Sequence, residues 1–201
     1  EVGGDYRIQK YDTKKESYVE CNGSLRIERE KEEVTVGGDF YTQSTGANGY
    51  GDSYNYLGAG KLTLKGNFTQ LKGNEYNFEA NGTKVIFAGT GVQEISFETP
   101  ASSYFGYPIF KNSNVVFKSE MHGWTLSENT KLFEQLDKIY IISSMNLNGN
   151  ILTVNGDLIQ EAGVMKLNGG ELEVERDYRI QKYDTKKEGY VECNGSLRIE
   201  R

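Results

Sequence analysis

Met145–Asp157 (MNLNGNILTVNGD) comes back 20 residues later as Met165–Asp177 (MKLNGGELEVERD). The matches fall at Met145/Met165, Leu147/Leu167, Asn148/Asn168, Gly149/Gly169, Leu152/Leu172, Val154/Val174 and Asp157/Asp177. Each block holds two alternating runs, M-x-L and L-x-V, split by an Asn-Gly dipeptide. Alternation turns one side chain inward and the next outward. Asn-Gly tolerates the positive φ that a sharp corner needs. A third short run closes each block, Leu158–Gln160 in one and Tyr178–Gln181 in the other. Three short strands in about 20 residues predict an all-β fold: a right-handed parallel β-solenoid of about 20 residues per turn, with loop insertions, rising about 4.8 Å per turn. One turn cannot bury its own inner face, so stacked neighbours must close the core.

The same grammar recurs at Leu25/Ile27, Val34/Val36, Leu62/Leu64, Val85/Phe87, Ile95/Phe97 and Val115/Phe117. Corners of the Gly-Asp or Gly-Asn type precede an aromatic at Asp5-Tyr6, Asp39-Phe40 and Asn67-Phe68, and a glutamine ends the run at Gln9, Gln43, Gln70, Gln160 and Gln181. Stacked amides can bond from one turn to the next. An asparagine ladder is therefore expected at Asn148, Asn168 and Asn194, with Asn22 in the equivalent turn of the first copy described below. Ser127–Tyr140 breaks the pattern. Alone, its Leu132, Phe133, Leu136, Ile139 and Tyr140 have helical spacing; inside a solenoid it holds an irregular strand such as Lys138–Ile142, the preferred reading.

A longer duplication spans the whole chain. Asp5–Arg29 returns at Asp177–Arg201, 172 residues on, with Ser17 replaced by Gly189 as the one change. Fixed-offset repetition marks stacked architectures. Residues 1–201 are thus read as one solenoid unit of a longer tandem array, with neighbouring copies of itself as the expected partners. A segment duplicated by design would read the same way.

Composition narrows the functional classes. The chain has 24 glycines, 2 prolines and 14 tyrosines, which suits a β protein with many corners, and 36 % hydrophobic residues, which a solenoid tolerates. A net charge of −6 argues against a nucleic-acid partner. No apolar run approaches membrane-spanning length, so no membrane insertion is expected, and any export signal is expected upstream of Glu1. The Asn-x-Ser/Thr triplets at Asn22, Asn67, Asn81 and Asn194 arise readily in such turns.

Catalytic chemistry finds little to work with. His122 is the only histidine, so neither a Ser-His-Asp site nor a His/Cys metal cluster is spelled out. Polysaccharide-cleaving β-helices gather acids on one face, often with calcium. Here Asp39, Asp157 and Asp177 fill turn positions, and Asp52 stands apart. No enzyme activity, cofactor or metal is expected. Regular Thr-x-Thr, the mark of an ice-binding face, is absent from the outward slots Thr63, Thr153, Glu173 and Arg198. Cys21 and Cys193 occupy the same slot of the two copies, read as inward and small. Seven or eight turns would separate them by about 35 Å, far beyond the roughly 7 Å a disulfide spans.

Two aromatic clusters remain: Tyr50, Tyr54 and Tyr56, and Tyr104 with Tyr107. As exposed groups they would stack on a glycan or dock a host protein. As alternating core residues, Tyr54, Tyr56 and Phe105 among them, they would close the interior, the favoured reading.

The stretches Gly123–Thr130 (GWTLSENT), Met145–Gln181 and Lys84–Phe105 (KVIFAGTGVQEISFETPASSYF) together resemble the long repetitive surface proteins of bacteria, with their tandem LNGG, L-x-V and GDLIQ turns. That resemblance covers nearly the whole chain and implies an exported cell-surface or extracellular solenoid with no catalytic residues to carry over. Lys131–Lys138 departs from the pattern. The function expected is a rigid stalk or filament, and the alternative is an adhesin using the tyrosines named above.

Overall fold

The computed structural model describes residues 1–45, 56–73, 77–100, 103–112, 115–119, 121–123, 138–141, 145–154, 157–160, 162–174, 176–184, 186–187 and 189–198. Among these the chain is all-β, and nearly every strand pairs in parallel.

An eight-stranded sheet runs, in order, through Tyr6–Ile8, Phe40–Thr42, Phe68–Gln70, Gln93–Phe97, Val115–Phe117, Met145–Asn146, Val164–Lys166 and Ser196–Arg198. A ten-stranded sheet begins with Glu33–Val36, Lys61–Leu64, Glu79–Phe87 and Tyr104–Phe110, then forks. From the C-terminal half of Tyr104–Phe110 one column continues through Lys138–Ile141, Asp157–Gln160 and Tyr178–Arg179. From its N-terminal half another continues through Met121–Gly123, Ile151–Val154 and Glu171–Val174. The fork has a local cause, a register shift between Phe105 and Tyr107 that splits each long strand into two pairing segments.

Strands adjacent in sequence fall in different columns, and each ladder pairs strands that are well separated along the chain. Partners lie from 18 residues apart (Phe105 and Gly123) to 34 (Tyr6 and Phe40). The two 20-residue blocks superimpose on this scheme: Met145 faces Met165, Leu152 faces Leu172, and Leu158 faces Tyr178. Asn148 and Asn168 have φ of 52° and 49°, and Gly149 and Gly169 follow at 77° and 79°, the left-handed corner that Asn-Gly supplies. Lys138–Ile141 is a strand, so the end of the ambiguous segment takes the β option; residues 127–137 lie outside the described ones.

Parallel registration stacks like on like. Phe40, Phe68, Ile95 and Phe117 follow one another down the eight-stranded sheet, all buried. Tyr6 stacks on Phe40 at 5.4 Å, and Phe40 on Phe68 at 5.6 Å. Phe105 meets Phe68, Phe87 and Phe97 edge-on or tilted within 5.2 Å. Each such pair adds about 0.5–1.5 kcal/mol beyond simple burial. Leu62, Leu64, Val85, Val115 and Leu152 complete the interior.

Corners are tight enough to demand glycine. A Cβ on Gly66 would lie 2.3 Å from the Gly38 carbonyl oxygen of the neighbouring corner. Beside these glycines runs a side-chain ladder. Asp39 N–H donates to Asp5 Oδ1 (2.9 Å), Asn67 N–H to Asp39 Oδ1 (2.7 Å), and Glu94 N–H to Asn67 Oδ1 (2.8 Å). The buried glutamines serve the same end. Gln93 Nε2 donates to the Leu64 and Gly66 carbonyls, and Gln160 Nε2 to those of Gly163 and Ser196. Corner backbone that water cannot reach is thereby satisfied.

Candidate functional site

Gln9 Nε2 donates to Gln43 Oε1 at 2.9 Å, an amide-to-amide step just beyond the paired strands Tyr6–Ile8 and Phe40–Thr42. Asn148 sends its amide instead to the Phe117 carbonyl at 3.3 Å, and Asn22, Asn148, Asn168 and Asn194 are all exposed turn residues. The stacking drawn for asparagine is thus carried, where the structure shows it, by Gln9–Gln43 and by the Asp5–Asp39–Asn67 corner.

The candidate tyrosines separate. Tyr50 and Tyr54 lie outside the described residues. Tyr56 is half-buried; the Arg26 guanidinium sits 4.3 Å above its ring and also donates to its hydroxyl at 3.1 Å. Tyr104 is 3 % exposed, so its ring is covered and offers no sugar-stacking face. Tyr107 lies in the same strand, opposite Lys84. Phe105 is fully buried, in keeping with the core reading.

The exposed aromatics of the described chain are elsewhere. Lys10–Asp12 and Ser17–Val19 form an antiparallel hairpin with Tyr11 opposite Tyr18. These rings meet edge-on at 5.3 Å and remain 53 % and 48 % exposed. The turn closes because Asp12 Oδ1 accepts the N–H groups of Lys14 (2.9 Å) and Lys15 (3.2 Å), which also hold its carboxyl below the ordinary range. Glu16 takes the left-handed position at φ 48°.

At the hairpin base, Arg7 lies between the rings of Tyr41 (3.7 Å) and Tyr18 (4.5 Å) and donates to Asp5 at 2.8 Å. Tyr41 donates its hydroxyl to Asp39 at 3.0 Å. The Asp39 N–H, offset by slight desolvation and helped by Arg7, keeps the Asp5 carboxyl low. Burial and the Asp39 hydrogen bond push the Tyr41 phenol up. A cation sandwiched by rings and neutralised by a carboxylate is a rigid anchor for the hairpin.

The second copy rebuilds it. Lys182–Asp184 pairs with Gly189–Val191, Tyr183 faces Tyr190, Arg179 lies 4.8 Å from the Tyr190 ring, and Arg179 pairs with Asp177. Burial, then the nearby Cys193, push the Tyr178 phenol up to about 12.

The hairpin is an insertion at a corner. Ile8 pairs with Thr42, Gln9 bonds Gln43, and the very next partner, Ser44, pairs with Cys21. Residues 10–20 leave the sheet and return to where they left. Sequence reading missed this arm because its turn, DTKKE, lacks the Asn-Gly or Asp-Gly signal of a tight hairpin. The clue was Tyr11 and Tyr18 flanking an Asp-initiated turn.

Among the described residues no three His, Cys, Asp or Glu side chains stand ready to hold a metal ion, and no helix is long and apolar enough to cross a membrane. Cys21 and Cys193 are free thiols, both half-buried; the Cys193 sulfur sits 3.4 Å from the Gln160 carbonyl oxygen. No family model matches the chain, and no curated protein or solved structure matches it either.

Proposed function

We propose that the chain is one unit of an extracellular or cell-surface structural protein, a right-handed parallel β-solenoid that serves as a rigid stalk or filament. Its partners are further copies of itself, in one chain or stacked end to end. The observation that carries this reading is the in-register succession of like residues, Phe40 on Phe68 on Ile95 on Phe117, along an uninterrupted parallel ladder. Such a ladder resists bending because every circuit is bonded to the next, and it lengthens by adding circuits. Its chemistry is spent on itself: the acids and amides at the corners accept or donate within the fold.

Electron microscopy of the natural assembly tests this. Rods that lengthen by roughly 32 Å for each repeat, at about 4.8 Å per circuit, are expected. Globular particles with no long axis would overturn the proposal.

The second reading is a surface adhesin that grips a glycan or host protein. What favours it is the exposed Tyr11–Tyr18 pair, displayed on an arm the coil does not need. Binding on a glycan array that vanishes on replacing both tyrosines by alanine would support it. Binding unchanged by that replacement, or no binding at all, would remove it.

A further inference from the structure

The two copies of the 25-residue segment occupy different columns. Tyr6–Ile8 pairs with Phe40–Thr42 in the eight-stranded sheet, whereas Tyr178–Arg179 pairs with Asp157–Gln160 in the ten-stranded sheet. The eight-stranded sheet receives the later part of the second copy instead, Ser196–Arg198 beside Val164–Lys166. In the first copy the matching stretch has moved on, with Ile27 bridging Leu57.

Counting circuits gives the reason. Between Tyr6–Ile8 and the second copy, the chain returns to the eight-stranded sheet six times, the sixth at Val164–Lys166. It then passes through Glu171–Val174 and reaches Tyr178 one column short of completing the circuit. A 172-residue repeat is therefore six circuits plus two of the three columns.

We infer that successive repeats present their hairpins from successive faces of the coil, a third of a revolution apart, so that three repeats complete one turn of hairpins around the axis. This rests on the solenoid reading proposed above. The hairpin fits either setting because its anchor travels with it. Asp5, Arg7 and Tyr18 in one copy, and Asp177, Arg179 and Tyr190 in the other, make the same contacts beside different neighbours. The segment itself is face-neutral: each column asks only for alternate inward side chains, and Tyr6 and Tyr178 both lie against the core.

The consequence concerns how such a fibre meets its surroundings. Whole-number repeats would line all hairpins along one edge. A two-thirds remainder spreads them evenly, so neighbouring fibres or any other partner meet an arm from every side, and a flat surface meets every third arm.

Cysteine trapping in the full chain, with Cys21→Ser and Cys193→Ser as background, tests the assignment. Adjacent parallel strands bring Cα atoms to about 5 Å, within disulfide reach. The pair Lys166→Cys/Arg198→Cys should cross-link under mild oxidation, as those residues are register partners. Arg179→Cys should fail to cross-link with Lys166→Cys or Asn168→Cys, the neighbours it would have if both copies shared a column. Trapping of Arg179→Cys by either, with Lys166→Cys/Arg198→Cys silent, overturns the rotation but leaves the solenoid standing. Silence also at Thr153→Cys/Glu173→Cys, partners outside the repeated segment, would sink the solenoid itself and the rotation with it.

Discussion

Glu79 sits opposite Tyr104 where the sheet is about to fork, 3 % exposed, and its Oε2 has no hydrogen-bond partner among the described residues. Burial raises its carboxyl from 4.5 to about 8. The folded chain therefore keeps a proton that the unfolded chain gives up above about pH 4.5. Because the native state binds more protons across that window, stability falls as pH rises from about 4.5 to about 8, and levels off beyond. At about 1.4 kcal/mol per pH unit the ceiling is roughly 4–5 kcal/mol. Water reaching the carboxyl as it ionises reduces this to about 2 kcal/mol. Replacing Glu79 by Gln keeps the shape and removes the titration. Urea unfolding followed by circular dichroism at pH 5, 6, 7 and 8 should show the wild type losing about 2 kcal/mol relative to Glu79→Gln, with the difference growing towards pH 8. The low carboxyls of Asp5 and Asp12 act with the opposite sign and below this range: their stabilisation is lost only as pH falls through their lowered values. Parallel pH profiles for the two proteins would refute the argument, since they would mean that Glu79 titrates as it does in the unfolded chain.

Gly66→Ala should destabilise by about 2 kcal/mol, the cost of forcing apart two packed backbones, measured as a lower urea midpoint with unchanged slope; Gly149→Ala, with open space around it but φ of 77°, should lose about 1 kcal/mol. Phe105→Ala empties the meeting point of Phe68, Phe87 and Phe97 and should cost about 3–5 kcal/mol, with collapse of the near-ultraviolet dichroism. Deleting residues 10–20 so that Gln9 joins Cys21 should leave the melting temperature within a few degrees, because their partners Gln43 and Ser44 are already consecutive. Loss of the folded state would show that the arm is part of the core after all.

How much of this was legible before the coordinates depends on what each residue responds to. Leu62/Leu64, Val85/Phe87 and Val115/Phe117 announced themselves because burial of alternate residues is a local demand that any strand must meet. Asn148-Gly149 and Asn168-Gly169 were legible for the same reason: positive φ is a property of two residues. Tyr104 was not, since its burial depends on what covers the outer side of its strand, which no local pattern records. Nor was the corner ladder, because Asp5, Asp39 and Asn67 look like ordinary turn formers until a neighbouring corner, distant in sequence, supplies the N–H.

The column a strand occupies was the least legible feature, and the duplicated segment shows why it had to be. Tyr6–Ile8 and Tyr178–Arg179 open the same 25-residue segment, Asp5–Arg29 and Asp177–Arg201, and have different partners, Phe40–Thr42 and Asp157–Gln160. If local sequence chose the column, identical segments would choose alike. The choice must therefore be handed down by the preceding strands: a strand docks on whichever edge the chain has just reached, and the spacing of the intervening corners decides which edge that is. Adding or removing one strand-and-corner step anywhere between the copies, such as Ile151–Val154 with its turn, should move Tyr178 to another column without altering a residue of the segment. Cysteine trapping of Arg179→Cys in such a shortened chain reads the outcome, and an unmoved partner would show that the segment carries its own address.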